Sequence, residues 1–115
     1  MAIYKQTRNF PKDEWFGIRM QMRRAAVSVP SNLVEGSARP TTPDYLKFLY
    51  IALGSGSELK YLVNLSDELG YVGREWNDIQ QRCEAVVKQL ERLTQKMETE
   101  AAAERARKGN LARSP

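Results

Sequence analysis

Apolar residues recur along this chain at steps of three and four, and no run of β-branched and aromatic residues alternates with period two. The pattern predicts helices throughout. Ile18, Met22, Ala25, Val29 and Leu33 mark one face of a helix over Glu14 to Glu35, with Gly36 placed as a left-handed C-cap. The linker SARPTTP follows. Thr42 reads as the N-cap of a second helix, Pro43 suits its first position, and Asp44 favours the positive end of the dipole. This helix runs to about Leu69, ended by Gly70, and its apolar set includes Tyr45, Phe48, Leu49, Ala52, Leu59, Leu62, Val63 and Leu69. A third helix spans roughly Arg74 to Glu100, where Ile79, Cys83, Val86, Leu90, Leu93 and Met97 form a heptad seam. Each rod is about 33–40 Å long at 1.5 Å per residue. Matching lengths and short connections predict an all-α, antiparallel up-down bundle.

Two features interrupt this regularity. Proline inside a helix removes a backbone hydrogen bond and clashes with the carbonyl four residues back, here Ala26, at about 3 kcal/mol. Two helices meeting at Val29 would have a poor N-cap, so one helix kinked at Pro30 is the preferred reading. In the second helix, Gly54 and Gly56 each cost about 1 kcal/mol relative to alanine, which makes sense where another backbone comes close. Ser28, Asn32 and Glu35 lie on one face and are placed to meet the GSGSE stretch. The expectation is a buried polar network of Ser28, Asn32, Glu35, Ser55 and Glu58 that fixes helix register.

The N-terminal MAIYKQTRNFP reads as the last turns of a further, shortened helix before a proline turn. Residues 101–115, AAAERARKGNLARSP, begin as good helix and are expected to decay into a basic, disordered tail, leaving 1–100 as the bundle domain. A chain of 115 residues suits one such domain.

Charge adds a partner class. The net +4 is unevenly placed: residues 1–40 hold seven basic and three acidic residues, and residues 101–115 hold four and one. Positive charge at both ends points to a polyanion such as RNA or DNA, although solubility alone explains many basic proteins.

Chemistry is mostly excluded. One cysteine, Cys83, and no histidine leave no zinc site, Cys–His nucleophile or intrachain disulfide within one chain, and fit a reducing, cytoplasmic setting. GSGSEL lacks the G-K-[ST] ending and the preceding strand of a phosphate loop. No nucleophile stands beside a base, so no enzyme, metal or cofactor is expected. No apolar run approaches the roughly 20 residues that span a bilayer.

The stretch RRAAVSVPSNLVEGSARPTTPDYLKFLYIALGSGSELKYLVNLSDELGYV resembles the four-helix-bundle family encoded by intervening sequences of bacterial large-subunit ribosomal RNA genes, also described as ribosomal-protein-like. The resemblance covers roughly Tyr4 to Leu93, and its distinctive parts are RRAA-S-PSN--EG and FL-IA-GS--EL. A related family is the accessory protein of diversity-generating retroelements, which is similar in fold and has a basic nucleic-acid-binding surface. The resemblance implies a four-helix bundle assembled into a five-membered ring, with RNA or the ribosome as partner. This chain departs from the pattern in a shortened first helix and a longer C-terminal extension. A three-helix remnant would expose an apolar groove unless a neighbour covers it.

Arg19, Arg23 and Arg24, with Arg39 and Lys47 in and after the following turn, are the candidate phosphate contacts. Their bland reading is pairing with acids such as Glu35 and Glu58, or the edge of a subunit interface. The aromatics Trp15, Phe16, Tyr45, Phe48, Tyr50, Tyr61, Tyr71 and Trp76 are too many for one small core, so some are expected in an interface between copies. The expected function is that of a non-enzymatic homo-oligomer binding RNA or ribonucleoprotein. The alternative is an adaptor docking a protein such as a reverse transcriptase.

Overall fold

The computed structural model describes residues 12–70 and 72–113, with side chains placed for 16–70 and 72–111. The reading of Met1 to Pro11 as turns of a further helix lies outside the described residues, as do Tyr71 and the side chain of Trp15. Three helices follow one another, α1 (Lys12–Ser37), α2 (Thr42–Glu68) and α3 (Trp76–Arg113), with no strand among the described residues. The molecule measures 69 × 20 × 18 Å. None of the described helices is long and apolar enough to cross a membrane.

α2 is the central rod, packed against both neighbours, while α1 and α3 meet only sparsely. At one end Met22 of α1, Leu62 and Val63 of α2, and Trp76, Ile79 and Cys83 of α3 bury one another. At the other, Leu46 and Leu49 of α2 close on Ala101 of α3, with Leu33, Tyr45, Leu93 and Met97 around them. Between these clusters the three helices converge on Gly56. A Cβ there would meet Leu90 Cδ1 at 3.3 Å, Val87 Cγ2 at 3.6 Å and Val29 Cγ2 at 3.8 Å. Where α1 and α3 fail to meet, Val29, Pro30 and Leu33 face Val86, Leu90 and Leu93 across an apolar groove of about 320 Å³.

The helix ends differ from expectation in instructive ways. The N-cap of α2 is Thr41, not Thr42: its side chain accepts from the Asp44 amide at 3.3 Å in an extended backbone conformation. Thr42 is thereby released to donate to Glu104 Oε1 at 3.0 Å. Gly36 is no left-handed cap. It lies buried within α1, where a Cβ would come within 2.8 Å of Tyr45 Cδ1 and 2.9 Å of Phe48 Cβ, so its role is close helix approach. The left-handed position is Gly70, at φ 72°, immediately after the Leu69 cap of α2. Gly54, expected at a close contact, has open space around it.

α1 passes through Pro30 as one helix rather than breaking at Val29. Pro30 is on the exposed side, so water can reach the backbone group that the ring deprives of its partner. On α3 the buried seam is Ile79, Cys83, Val87, Leu90 and Thr94, while Val86 is 38% exposed. α3 also continues beyond Glu100 to Arg113. Three alanines at 101–103 favour helix, Ala101 is buried in the second cluster, and Glu104 holds Thr42. The boundary drawn at residue 100 therefore cuts through a continuous helix.

Candidate nucleic-acid interface

The five candidate cations do not form one site. Arg19, Arg23 and Arg24 lie on the N-terminal half of α1, with Arg19 and Arg23 half-buried and Arg24 exposed. Thirteen residues of helix separate Arg24 from the end of α1, about 20 Å at 1.5 Å per residue. Arg39 and Lys47 sit beyond that end. The turn that makes them neighbours of α1 in sequence carries them to the far end of the rod.

Arg39 is engaged within the protein. Its Nη2 bonds Glu35 Oε2 at 2.8 Å, its Nε donates to the Glu35 carbonyl at 3.2 Å, and its guanidinium stacks 5.0 Å from the Phe48 ring centre. The bland reading of this residue is the one observed. Lys47 approaches Asp44 at 3.7 Å but keeps 76% of its side chain exposed, and so remains accessible to a ligand.

The arginines of α1 differ. Arg23 and Arg24 line an open depression with Met20, Val27 and Ser28, and Arg24 also borders the neighbouring pocket that Glu58 lines. Partial desolvation, and then the like charge of Arg23, pull the Arg19 pKa below the ordinary guanidinium value. Guanidinium groups keep their charge in proteins, so the cluster stays cationic. Around it runs a row of exposed apolar side chains, Phe16, Met20, Val27 and Val34, of which sequence reasoning singled out only Phe16. The signal was present, because these positions repeat at four and seven on the face away from Met22 and Ala25. α1 has two apolar faces, and among the described residues only one of them is buried.

The polar network forms in part. Ser55 Oγ of α2 donates to Ser28 Oγ of α1 at 2.7 Å, and Asn32 Nδ2 donates to the same hydroxyl at 3.0 Å and to the Ser28 carbonyl at 2.8 Å. These three residues are half-buried. Glu35 is not a member: its side chain is 59% exposed and belongs to Arg39. Glu58 is exposed as well, and lines an open polar pocket of about 270 Å³ with Gln21, Arg24, Ser28 and Ser55. A hydroxyl–hydroxyl–amide bridge thus pins α1 to α2, with both carboxylates outside it.

The described aromatic residues divide between core and surface. Trp76 is completely buried and donates its indole N–H to the Val63 carbonyl at 2.8 Å, whereas Phe16, Tyr50 and Tyr61 are exposed by half or more. Among the described residues no three histidine, cysteine, aspartate or glutamate side chains group as a metal site.

Residues 1–92 match the model of the 23S rRNA-intervening sequence protein family. A comparison with curated proteins finds no match. The matched segment contains α1, α2 and the first half of α3, with the serine bridge, Gly36 and Gly56 inside it and the Leu93–Arg113 part of α3 beyond it. The motif-bearing residues, the all-helical architecture and a match over four-fifths of the sequence agree, and the chain belongs to the 23S rRNA-intervening sequence protein family.

Proposed function

We propose that the chain is a non-enzymatic, cytoplasmic, homo-oligomeric bundle of antiparallel helices that binds RNA or ribonucleoprotein through Arg19, Arg23 and Arg24. The observation that carries this reading is the open depression on α1 that Arg23 and Arg24 line together. Three arginines within two turns of one helix concentrate positive charge, and phosphates satisfy such a cluster without sequence preference. Membership of a family named for ribosomal RNA intervening sequences supports the choice of RNA. The antiparallel arrangement is supported by the contacts, which pair the start of α2 with the ends of α1 and α3.

Assembly into a ring, with five copies as the expected number, is supported by apolar surface left over after folding. Phe16, Met20, Val27 and Val34 on α1, and Tyr50, Ile51 and Tyr61 on α2, are each more than 40% exposed. The groove between α1 and α3 adds to them, and a fourth helix or a neighbouring copy would cover it.

The test is charge reversal at Arg23 and Arg24, with binding to a single-stranded RNA followed by anisotropy. Removing two phosphate contacts lowers the slope of log K against log salt by about 1.4. Circular dichroism checks that the fold survives, with the exposed Arg24→Glu alone as the milder variant because Arg23 is half-buried. Binding that survives both reversals at low and moderate salt removes this surface from consideration.

The same exposed apolar row favours a second reading, an adaptor that docks a protein partner such as a reverse transcriptase. A partner retained in a pull-down from nuclease-treated lysate, and lost on Val27→Asp, supports the adaptor. A partner lost with the nucleic acid supports RNA binding.

A further inference from the structure

α3 outlasts the bundle. Among the hydrogen bonds described between helices, Thr42–Glu104 lies furthest along α3, and residues 105–111 are exposed throughout. The helix runs on for nine residues to Arg113, a projection of about 14 Å at 1.5 Å per residue. That projection carries Arg105, Arg107, Lys108 and Arg113 and no acid. It lies outside the family match, which ends at residue 92.

The bland explanations for these cations are local. Helix-dipole compensation favours cations only within the last turn, and Arg105 and Arg107 precede Arg113 by eight and six residues. Pairing along the helix needs an acid three or four residues away. Arg105 has none, and Arg107 and Lys108 have only Glu104 between them, so one carboxylate serves at most part of the cluster. Neither effect accounts for the cluster.

We infer that this projecting helix is a second nucleic-acid contact, a phosphate-backbone grip separate from the α1 arginines. The inference rests on the RNA-binding reading and adds a site to it. At about 100° per residue, Arg105 and Lys108 share one side of the helix and Arg107 points to another. A rod charged on two sides suits a flexible phosphate chain that straddles it. It suits a membrane poorly, because Leu111 is the one large apolar side chain exposed along 105–111 and no apolar face forms. An acidic protein partner would ordinarily need buried anchors, which the projection does not offer. Lys47, exposed on the first turns of α2 near the Thr42–Glu104 contact, extends the positive charge at this end.

The experiment compares the full chain with Arg105→Gln/Arg107→Gln/Lys108→Gln, which keeps helix-favouring residues, and with the charge-preserving Arg105→Lys/Arg107→Lys. Binding to 20-nucleotide single-stranded RNA and DNA is measured from 0.05 to 0.2 M salt, with poly-glutamate as the competing polyanion. Circular dichroism verifies equal helicity. The glutamine variant is expected to bind both nucleic acids roughly tenfold more weakly at 0.1 M salt, with a slope reduced by about 2, while the lysine variant binds as wild type. Unchanged RNA affinity in the glutamine variant overturns the second contact and leaves the α1 reading standing. A wild-type chain that binds no RNA removes that reading, and this one with it. Loss of poly-glutamate binding with RNA binding intact reassigns the projection to an acidic protein and overturns the inference.

Discussion

Thr42 donates its hydroxyl to the carboxylate of Glu104 at 3.0 Å, joining the first residue of α2 to a turn of α3 sixty-two positions later. The bond exists because Thr41 takes the capping role and leaves its neighbour available. It closes the end of the molecule where Leu46, Leu49 and Ala101 pack. Thr42→Val removes the donor at nearly constant volume and is expected to cost about 1 kcal/mol, read by urea denaturation. Glu104→Gln keeps an acceptor and should cost less. Equal losses for both would show that the charge, rather than the bond, matters.

Two glycines in this small protein predict opposite outcomes for the same substitution. At Gly36 an added Cβ meets Tyr45 and Phe48 inside 3.0 Å, so Gly36→Ala forces α1 and α2 apart and is expected to destabilise by about 1–3 kcal/mol. At Gly54 the added methyl has open space, so Gly54→Ala should stabilise the isolated chain by up to about 1 kcal/mol through helix propensity. Thermal unfolding of both variants tests the pair. Gly54 lies one turn from Tyr50 on exposed α2. If copies pack there, Gly54→Ala raises the stability of the single chain while weakening assembly, a divergence that sedimentation and melting curves together detect.

The serine bridge makes a prediction about rank. Ser28 Oγ serves both Ser55 and Asn32, whereas Ser55 serves Ser28 alone among the bonds described. Ser28→Ala strips two half-buried partners and is expected to cost about 1–2 kcal/mol, against about half that for Ser55→Ala. In a double-mutant cycle the Ser28–Ser55 coupling should be positive. Additive losses would mean that the two hydroxyls act separately.

Much of this architecture can be read from periodicity, and the failures share a cause. Steps of three and four locate all three helices because the buried face of each repeats with the helical turn. The same rule places Val86 in the seam, although Val87 is the buried residue, since a 3.5-residue repeat drifts against a 3.6-residue helix and adjacent valines are alike in hydrophobicity. Gly36 was ambiguous for a different reason: a glycine at the end of an apolar run serves either a left-handed turn or a close crossing, and only the position of Tyr45 and Phe48 decides. Trp76 joins the core from the first position of α3, where no earlier periodic residue announces it. The candidate site fared worse. Arg39 and Arg24 are close in sequence, but a straight rod turns sequence distance into about 20 Å of separation. Glu35 follows Asn32 by three residues, yet Arg39, one turn later, captures it from solvent.

Cys83 supplies the pH prediction. It is buried with Met22, Val63 and Trp76, and desolvation there, followed by the nearby Glu84 charge, raises its thiol pKa above the ordinary 9.0. Below about pH 9 the thiol is neutral in folded and unfolded chains alike, so its burial contributes the same stability throughout that range. Above pH 9 the unfolded chain releases the proton first. Stability therefore falls with rising pH until the folded thiol ionises too. Denaturation of the wild type and of Cys83→Ala between pH 7 and 10.5 isolates this effect from the lysines and tyrosines, which both chains share. The alanine variant is less stable at pH 7 because of the cavity, and the gap is expected to narrow as pH rises past 9. A gap constant across the range would mean that the thiol ionises equally in both states, and would place Cys83 within reach of water. Slow reaction of the native thiol with an aromatic disulfide at pH 8 is the matching expectation, since only the thiolate attacks and burial disfavours it.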